Sequence, residues 1–254
     1  MTWSATQYSR FEDERTRPVR DLVNAITREQ ASTAVDLGCG PGNSTDVLAA
    51  RYPQAVVSGL DSSDDMIRSA RARLPQLQFE VADIGQWRAS TPVDVILANA
   101  SLQWLPDHAT LYPHLLAQLS EGGCLAVQTP DNLEEPAHRV AREVAASGPW
   151  RAAIGHVVHP DRHPAAWYYA LLKPHCRRLD IWRTTYLHPL AGGIDAIVEW
   201  FKGSALRPYL GALDGSQQAS FLAEYRQGIA RAYTLLDDGT ALLPFPRLFI
   251  VATR

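Results

Sequence analysis

Apolar and polar positions along the first half of the chain fall into short apolar runs separated by longer amphipathic stretches. Residues 33–37 (TAVDL) are a β-branched apolar run that stops in glycines, which predicts a strand. The same pattern predicts strands at 55–60, 78–82, 93–98 and 123–128, and helices at 43–51, 64–74 and 108–119, the last despite Pro113. Strands separated by helices predict right-handed βαβ crossovers and a parallel sheet covered on both faces. The near-continuous apolar character of the first, fourth and fifth strands fits that burial. The second half is less regular. Asn132 with Glu135 three positions on is a capping-box-like start for a helix over 133–146. Residues 147–164, rich in Pro, Gly and His, read as a loop, 165–172 as a short aromatic helix, 179–187 as a strand, 194–201 and 216–232 as helices, and 247–252 as a terminal strand. The expected architecture is α/β: a doubly wound, seven-stranded, mostly parallel sheet in one domain over 1–254. An N-terminal helical flap over about 1–30 and a helical lid within about 133–240, inserted after strand five, complete it.

Composition adds exclusions. The 254 residues are 46% hydrophobic and 20% charged, a globular mixture that excludes a disordered chain, a collagen-like repeat and a disulfide miniprotein. A chain this long buries roughly 70–75% of its unfolded surface, enough for a core without staples. A net charge of −3 argues against a general nucleic-acid binder. Cys39, Cys124 and Cys176 are far apart and form no C-x-x-C pair, which predicts buried, reduced thiols. Residues 1–17 are polar and charged, unlike a secretory leader, and no apolar stretch approaches the ~18 residues of a membrane helix. The expectation is a soluble, cytoplasmic monomer or weak dimer with no membrane or nucleic-acid partner.

Candidate chemistry sits in Val35-Asp36-Leu37-Gly38-Cys39-Gly40-Pro41-Gly42-Asn43, which leaves a strand and opens a helix. Glycines there let a ligand reach the backbone, and the helix N-terminus offers N–H groups without partners. Asp61 follows the second strand and Asp83 the third. In a parallel sheet the carboxyl ends of neighbouring strands lie side by side, so Asp36, Asp61 and Asp83 should line one crevice. A carboxylate that accepts two hydrogen bonds suits a ribose diol, and another suits an exocyclic amine; together they point to an adenosine-bearing ligand. A nicotinamide dinucleotide uses a similar turn. The spacing here is G-x-G-x-G rather than G-x-G-x-x-G, and Asp36 would repel a pyrophosphate while welcoming an ammonium or sulfonium.

Val35 to Asn43, Asp61, Asp83-Ile84 and Asn99-Ala100 together resemble the class I S-adenosylmethionine-dependent methyltransferases. The resemblance implies a Rossmann-like fold with S-adenosylmethionine as cofactor and S-adenosylhomocysteine as product. It also implies that Gly38 and Gly40 admit the methionine moiety and ribose, and that Asp36 holds the ammonium, directly or through water. Asp61 would bind the ribose hydroxyls, Met66 would pack on adenine, and Asp83 and the backbone of Ile84 would read the adenine edge. The backbones of Asn99 and Ala100 would face the sulfonium, with Asn43 and Ser62 completing the set. Further blocks resemble a branch that esterifies small polycarboxylic acids, among them 11–18, 98–108, 127–132, 180–186, 206–209 and 245–251. Thr129 departs from that branch, standing where methionine is expected.

Such an acceptor needs no general base, because a carboxyl pKa near ~4 leaves it ionised at neutral pH. No catalytic acid or base is therefore expected; the work is in-line positioning. The acceptor's other carboxylates need Arg forks or phenols. Arg183, Tyr186, Arg207 and Tyr209 are the candidates, with Trp104 walling the transfer channel and Gln128 beside it. His188, Arg247, Arg15 and Arg17 are further suppliers. His156, His159 and His163 read as loop histidines, so no metal is expected, Trp182 and Trp200 as core, and Tyr8 and Phe11 as packing residues of the flap. Asp107 reads as a helix cap rather than as half of a catalytic pair with His108. The alternatives are another small-molecule or carrier-bound carboxylate or hydroxyl acceptor, and a protein that binds the adenosyl ligand without turnover.

Overall fold

A computed structural model describes residues 12–157 and 163–254. Tyr8, Phe11 and His159, and the side chain of Arg15, lie outside the described residues. The chain runs through α1 (Glu12–Asn24), β1 (Thr33–Leu37), α2 (Asn43–Arg51), β2 (Val56–Asp61), α3 (Asp64–Arg73), β3 (Gln78–Val81), β4 (Val93–Asn99), α4 (His108–Ala117) and β5 (Leu119–Pro130). It continues through α5 (Pro136–Ser147), α6 (Arg151–Ile154), α7 (Ala165–Leu172), β6 (Arg178–Leu190), α8 (Gly193–Lys202), α9 (Arg207–Leu210), α10 (Gly215–Ala232) and β7 (Ala241–Thr253). Short 3₁₀ turns span Leu102–Trp104 and Lys173–His175.

The strands form one seven-stranded sheet in the order β3-β2-β1-β4-β5-β7-β6. The pairs β1–β2, β1–β4, β2–β3 and β4–β5 are parallel. Arg254, just past β7, donates to Gly123 and accepts from Gly122 near the start of β5, so β7 runs antiparallel to β5. This is the Rossmann-like, mostly parallel sheet that the alternation predicts. β1 and β4 are buried along nearly their whole length because helices cover both faces.

Two compact units make up the chain. One comprises Met1–Pro130, Pro160–Thr184 and Leu248–Arg254; the other comprises Asp131–His159 and Thr185–Arg247. In the first, Leu37, Ile96, Ala98, Leu125 and Val127 of the sheet pack with Tyr112, Leu115 and Leu116 of α4, Leu172 of α7 and Ile250 of β7. Val19, Leu22 and Val23 bring the buried face of α1 to the same unit. Gly59 permits close packing between strands: a Cβ there would sit 2.8 Å from the Phe79 ring and 2.9 Å from Cys39 Cβ. In the second unit Trp150, Phe221, Tyr209 and Tyr225 are the large buried groups, with the Trp150 and Phe221 rings 5.4 Å apart. Among the described residues no helix is long and apolar enough to cross a membrane.

Several elements differ from the pattern-based reading. The helix expected over 133–146 begins at Pro136, and Glu135 makes no capping bond. Proline fixes the first helical φ and pushes the residue before it into extended geometry, so Glu135 (ψ 152) cannot be helical. The Tyr233 hydroxyl accepts from Ala137 N–H at 3.2 Å and supplies the missing cap. The capping box lies instead at Asp214–Gln217, opening α10. α6 falls inside the expected loop, and α9 went unpredicted. β5, β6 and β7 extend beyond the runs at 123–128, 179–187 and 247–252. Their ends hold Gly122, Gly123, Pro189, Pro244 and Pro246, which read locally as breaks but are tolerated at strand ends, bulges and sheet edges.

Candidate active site

At the carboxyl ends of β1, β2, β3 and β4 a cleft of about 270 Å³ is lined by Gly38, Gly40, Asp61, Ser62, Met66, Asp83, Ile84, Asn99, Ala100, Ser101, Trp104 and Leu105. Parallel register produces this convergence: Asp36 lies opposite Gly59 and Leu97, and Asp61 opposite Val81. The glycine turn closes it from below. Gly38 and Gly40 adopt φ of 77° and 53°, in the left-handed region that glycine enters without strain. A Cβ on Gly38 would lie 2.3 Å from Ser101 Cβ, whereas one on Gly40 would meet nothing within 4 Å. The first glycine is thus required by packing, and the second leaves open the space a ligand would use.

Asp61 accepts from Gly40 N–H at 3.0 Å on one oxygen and from Ser63 N–H at 2.9 Å on the other. A carboxylate has about four acceptor sites, so both oxygens keep capacity for a diol. Asp83 accepts from Gly85 N–H at 2.8 Å and is exposed at the far rim. Met66 is buried on the first turn of α3, whose N-cap is Ser63.

Asp36 lies behind the glycine turn, fully buried, and is not part of the lining. Its Oδ2 accepts from the hydroxyls of Ser44 and Thr45, each at 2.7 Å, and its Oδ1 has no hydrogen-bond partner among the described residues. Burial pushes its pKa up to about 6; the two hydroxyls oppose the rise and the charge of Asp61 adds to it. Burial, with Asp36 and Asp61 nearby, pushes the Cys39 thiol far above its usual range, so it is no nucleophile. Asn43 opens α2 outside the lining, its buried Oδ1 also without a hydrogen-bond partner among the described residues.

The fourth wall is the loop after β4. Ala100 is held at φ 53°, unusual for a non-glycine residue. Its N–H donates to the Gln128 carbonyl at 2.8 Å, and its own carbonyl accepts from the Gln103 side chain at 2.8 Å. Gln128 is fully buried and contributes to this wall through its backbone. Ser101 donates its hydroxyl to the Leu37 carbonyl at 2.6 Å, tying β4 to β1. Asn99 Oδ1 is buried without a hydrogen-bond partner among the described residues. Trp104 is 53% exposed, an unusual setting for so large an apolar ring.

Among the described residues the lining has Asp61 and Asp83 as its ionisable groups, and no Lys, Arg or His. With Asp36 behind them and the Asn99 oxygen beside them, the cleft suits a cationic nucleoside and not a pyrophosphate. Ser101 and Leu105 join the lining although the motif reading did not single them out. Both fall within the block at 98–108, but the reason for Ser101 is its bond to β1, which no local pattern reveals.

The remaining candidates lie elsewhere. Arg183 is exposed on β6, next to Trp182, whose ring stacks on Phe249 at 4.8 Å. In the second unit Tyr186 is buried, Arg207 opens α9 half-buried, and Tyr209 is buried with its ring 5.8 Å from Phe221. Burial raises the Tyr209 hydroxyl's pKa. His188 stacks on Trp200 at 5.0 Å, and the buried Arg247 guanidinium lies 4.9 Å from the Phe245 ring centroid. Asp107 does cap α4, accepting from Thr110 N–H. Among the described residues no three metal-ligating side chains gather.

Residues 28–173 match a family model described as a methyltransferase domain. The trans-aconitate 2-methyltransferase of Azoarcus sp. (strain BH72) is 52% identical over 100% of this chain and 99% of its own. The chain belongs to the trans-aconitate 2-methyltransferase family. The Methylobacterium radiotolerans member is likewise 52% identical, over 99% of this chain and 98% of its own. The crystal structure of the YcgJ protein from Bacillus subtilis shares the fold, with a TM-score of 0.61 at 11% identity over 94% of this chain and 98% of that one. Membership makes the chain an S-adenosylmethionine-dependent methyltransferase, in agreement with the glycine turn and the acidic strand tips.

Proposed function

We propose that the cleft at the strand tips binds S-adenosylmethionine and that the chain transfers its methyl group to a carboxylate of a small polycarboxylic acid, trans-aconitate. The observation that carries the cofactor reading is the anionic cleft, with Asp61 and Asp83 on its rim and the acceptors Asp36 Oδ1 and Asn99 Oδ1 buried without hydrogen-bond partners among the described residues. Asp61 holds the ribose hydroxyls, Met66 packs on the adenine, and Asp83 and the backbone of Ile84 read the adenine edge. Ser62 lies beside the ribose. The backbone at Gly38 and Gly40 passes close enough for the amino-acid end, and Asn99, Ala100 and Asp36 supply acceptors toward its ammonium, with Asn43 behind them.

When bound, S-adenosylmethionine supplies an electrophilic methyl on a sulfonium. That methyl would pass to a carboxylate oxygen of the acceptor, with sulfur as the leaving group. The products are a monomethyl ester and S-adenosylhomocysteine. No proton moves, so the chain needs no acid or base. It needs to align the oxygen and keep water out, and positioning alone supplies up to ~7–11 kcal/mol for well-held reactants. Trp104 walls the path, with Gln128 fixing the loop beside it. Arg183, Arg207, Tyr186 and Tyr209 hold the carboxylates that do not react. The identity of the acceptor draws on the named relatives together with this supply of cations and phenols.

Calorimetry with S-adenosylhomocysteine, then with trans-aconitate added to the complex, tests both parts. Saturable binding of each, and a methyl ester detected by mass spectrometry, is the expected result. A cleft that ignores S-adenosylhomocysteine removes the cofactor assignment. Ester formation on other acids but not on trans-aconitate removes the acceptor.

A further inference from the structure

Ser101, Trp104 and Leu105 form one wall of the cleft outside any strand: Trp104 ends a three-residue 3₁₀ turn at Leu102–Trp104, flanked by Leu105 and by Ser101, which is bonded to β1. The end of the turn that carries Trp104 and Leu105 is held from its far side. The Leu102 carbonyl accepts from Leu105 N–H at 3.1 Å and meets His108 Nε2 at 2.9 Å. A carbonyl only accepts, so Nε2 donates to it. The Tyr168 hydroxyl stands at hydrogen-bond distance, 2.7 Å, from Nδ1. Hydrogen bonds therefore run from α7 through the first residue of α4 to the wall of the cleft. His108 is 6% exposed and Tyr168 2%, with the Tyr112 ring 5.2 Å from the imidazole, so little water is at hand to replace either bond.

We propose that His108 is a positioning residue for methyl transfer. It is not part of the cleft lining; it holds the Leu102 carbonyl and thereby sets Trp104 and Leu105 at the transfer end of the cleft. The proposal rests on the cofactor reading above. Displacements of about 1 Å at such a wall cost up to ~10²-fold in rate.

Two substitutions separate positioning from packing. In His108→Gln the side-chain amide reaches the Nε2 position and keeps the donor to Leu102, whereas His108→Asn reaches only the Nδ1 position and loses it. The expected result is kcat within about threefold of the parent for His108→Gln. For His108→Asn, kcat should fall 10- to 100-fold, with acceptor KM changed less than threefold. If His108→Asn does not fold, Tyr168→Phe removes only the far hydroxyl and should lower kcat three- to tenfold. Unchanged kcat in a folded His108→Asn or Tyr168→Phe overturns the proposal. So does parallel loss of kcat and melting temperature in the Gln and Asn variants, which is the mark of a packing role. If the parent protein itself fails to bind S-adenosylhomocysteine, the cofactor reading falls first; normal binding by the parent with unaltered kcat in the variants sinks the His108 role alone.

Discussion

Asp36 is a buried carboxylate stabilised by two hydroxyls and still raised to a pKa of about 6. Its folded value lies above the unfolded value of about 3.8, so the unfolded chain loses its proton first as pH rises. The contribution is complete below pH 4, is lost between about pH 4 and 6, and leaves the ligand-free fold about 3 kcal/mol worse off at neutral pH. Asp36→Asn is therefore expected to raise the ligand-free melting temperature at pH 7.5 and to flatten its decline between pH 4 and 6, while weakening S-adenosylhomocysteine binding. Thermal melts across that range read it; an unaltered pH profile removes the assignment. The two glycines separate packing from binding. Gly38→Ala combines a φ of 77° with a contact of 2.3 Å to Ser101, and should cost more than about 2 kcal/mol of stability. Gly40→Ala carries only the φ penalty of about 1 kcal/mol, and its methyl enters the cleft, so cofactor affinity should drop at least tenfold in a folded protein. Equal affinity in Gly40→Ala and the parent would mean that ligand does not approach there. Gly38 and Gly40 are one sequence motif, but only the tertiary structure shows that different forces fix them.

At the scale of elements, β1 carries opposite devices at its two ends. Near its start Asp94 of β4 accepts from Ser32 N–H at 2.7 Å and from the Ser120 hydroxyl at 2.6 Å, with Arg28 at 2.8 Å. Burial works against this carboxylate, but those bonds and the Arg28 charge outweigh it and hold its pKa below the ordinary value. Its stabilisation is present above pH 4 and fades as acid protonates it, the reverse of Asp36. Helix starts show why the second half was harder to read. Asn132 and Glu135 have the spacing of a capping box, yet Pro136 decides where α5 begins. Asp214 and Gln217 form a reciprocal box, and Asp214→Ala should cost about 1 kcal/mol, or about 2–4 °C in melting temperature. A melt indistinguishable from the parent would show that α10 is held by packing of Phe221, Tyr225 and Ile229 alone. The apolar runs are shorter than β5, β6 and β7 for a related reason: Gly and Pro carry turn signals whose weight depends on the neighbouring strand.

For the whole molecule, ligand binding should appear as stability. S-adenosylhomocysteine at 100 times its Kd adds about 2.7 kcal/mol to the state that binds it, which corresponds to a rise of about 5–10 °C. The acceptor side is tested by Arg183→Ala and Arg207→Ala. Loss of a charge-assisted hydrogen bond is worth about 1.5–3 kcal/mol, so acceptor KM should rise roughly 10- to 150-fold with cofactor affinity unchanged. Steady-state kinetics with unaltered KM in both variants would assign carboxylate capture to other cations, the buried Arg247 foremost. The sequence by itself determined the alternation of β1 to β5 with their helices, the glycine turn, and the acids at the tips of β1, β2 and β3. Those features are local: apolar periodicity, glycine freedom and the adjacency of parallel strand ends follow from a few residues at a time. Only the tertiary structure decided that Asp36 sits behind the cleft rather than in it, and that Ser101 ties β4 to β1. It alone showed that Tyr233 caps α5 and that His108 braces the turn that carries Trp104. Each of these depends on contacts between residues distant in the chain or on burial, and both are set by packing that no local pattern encodes.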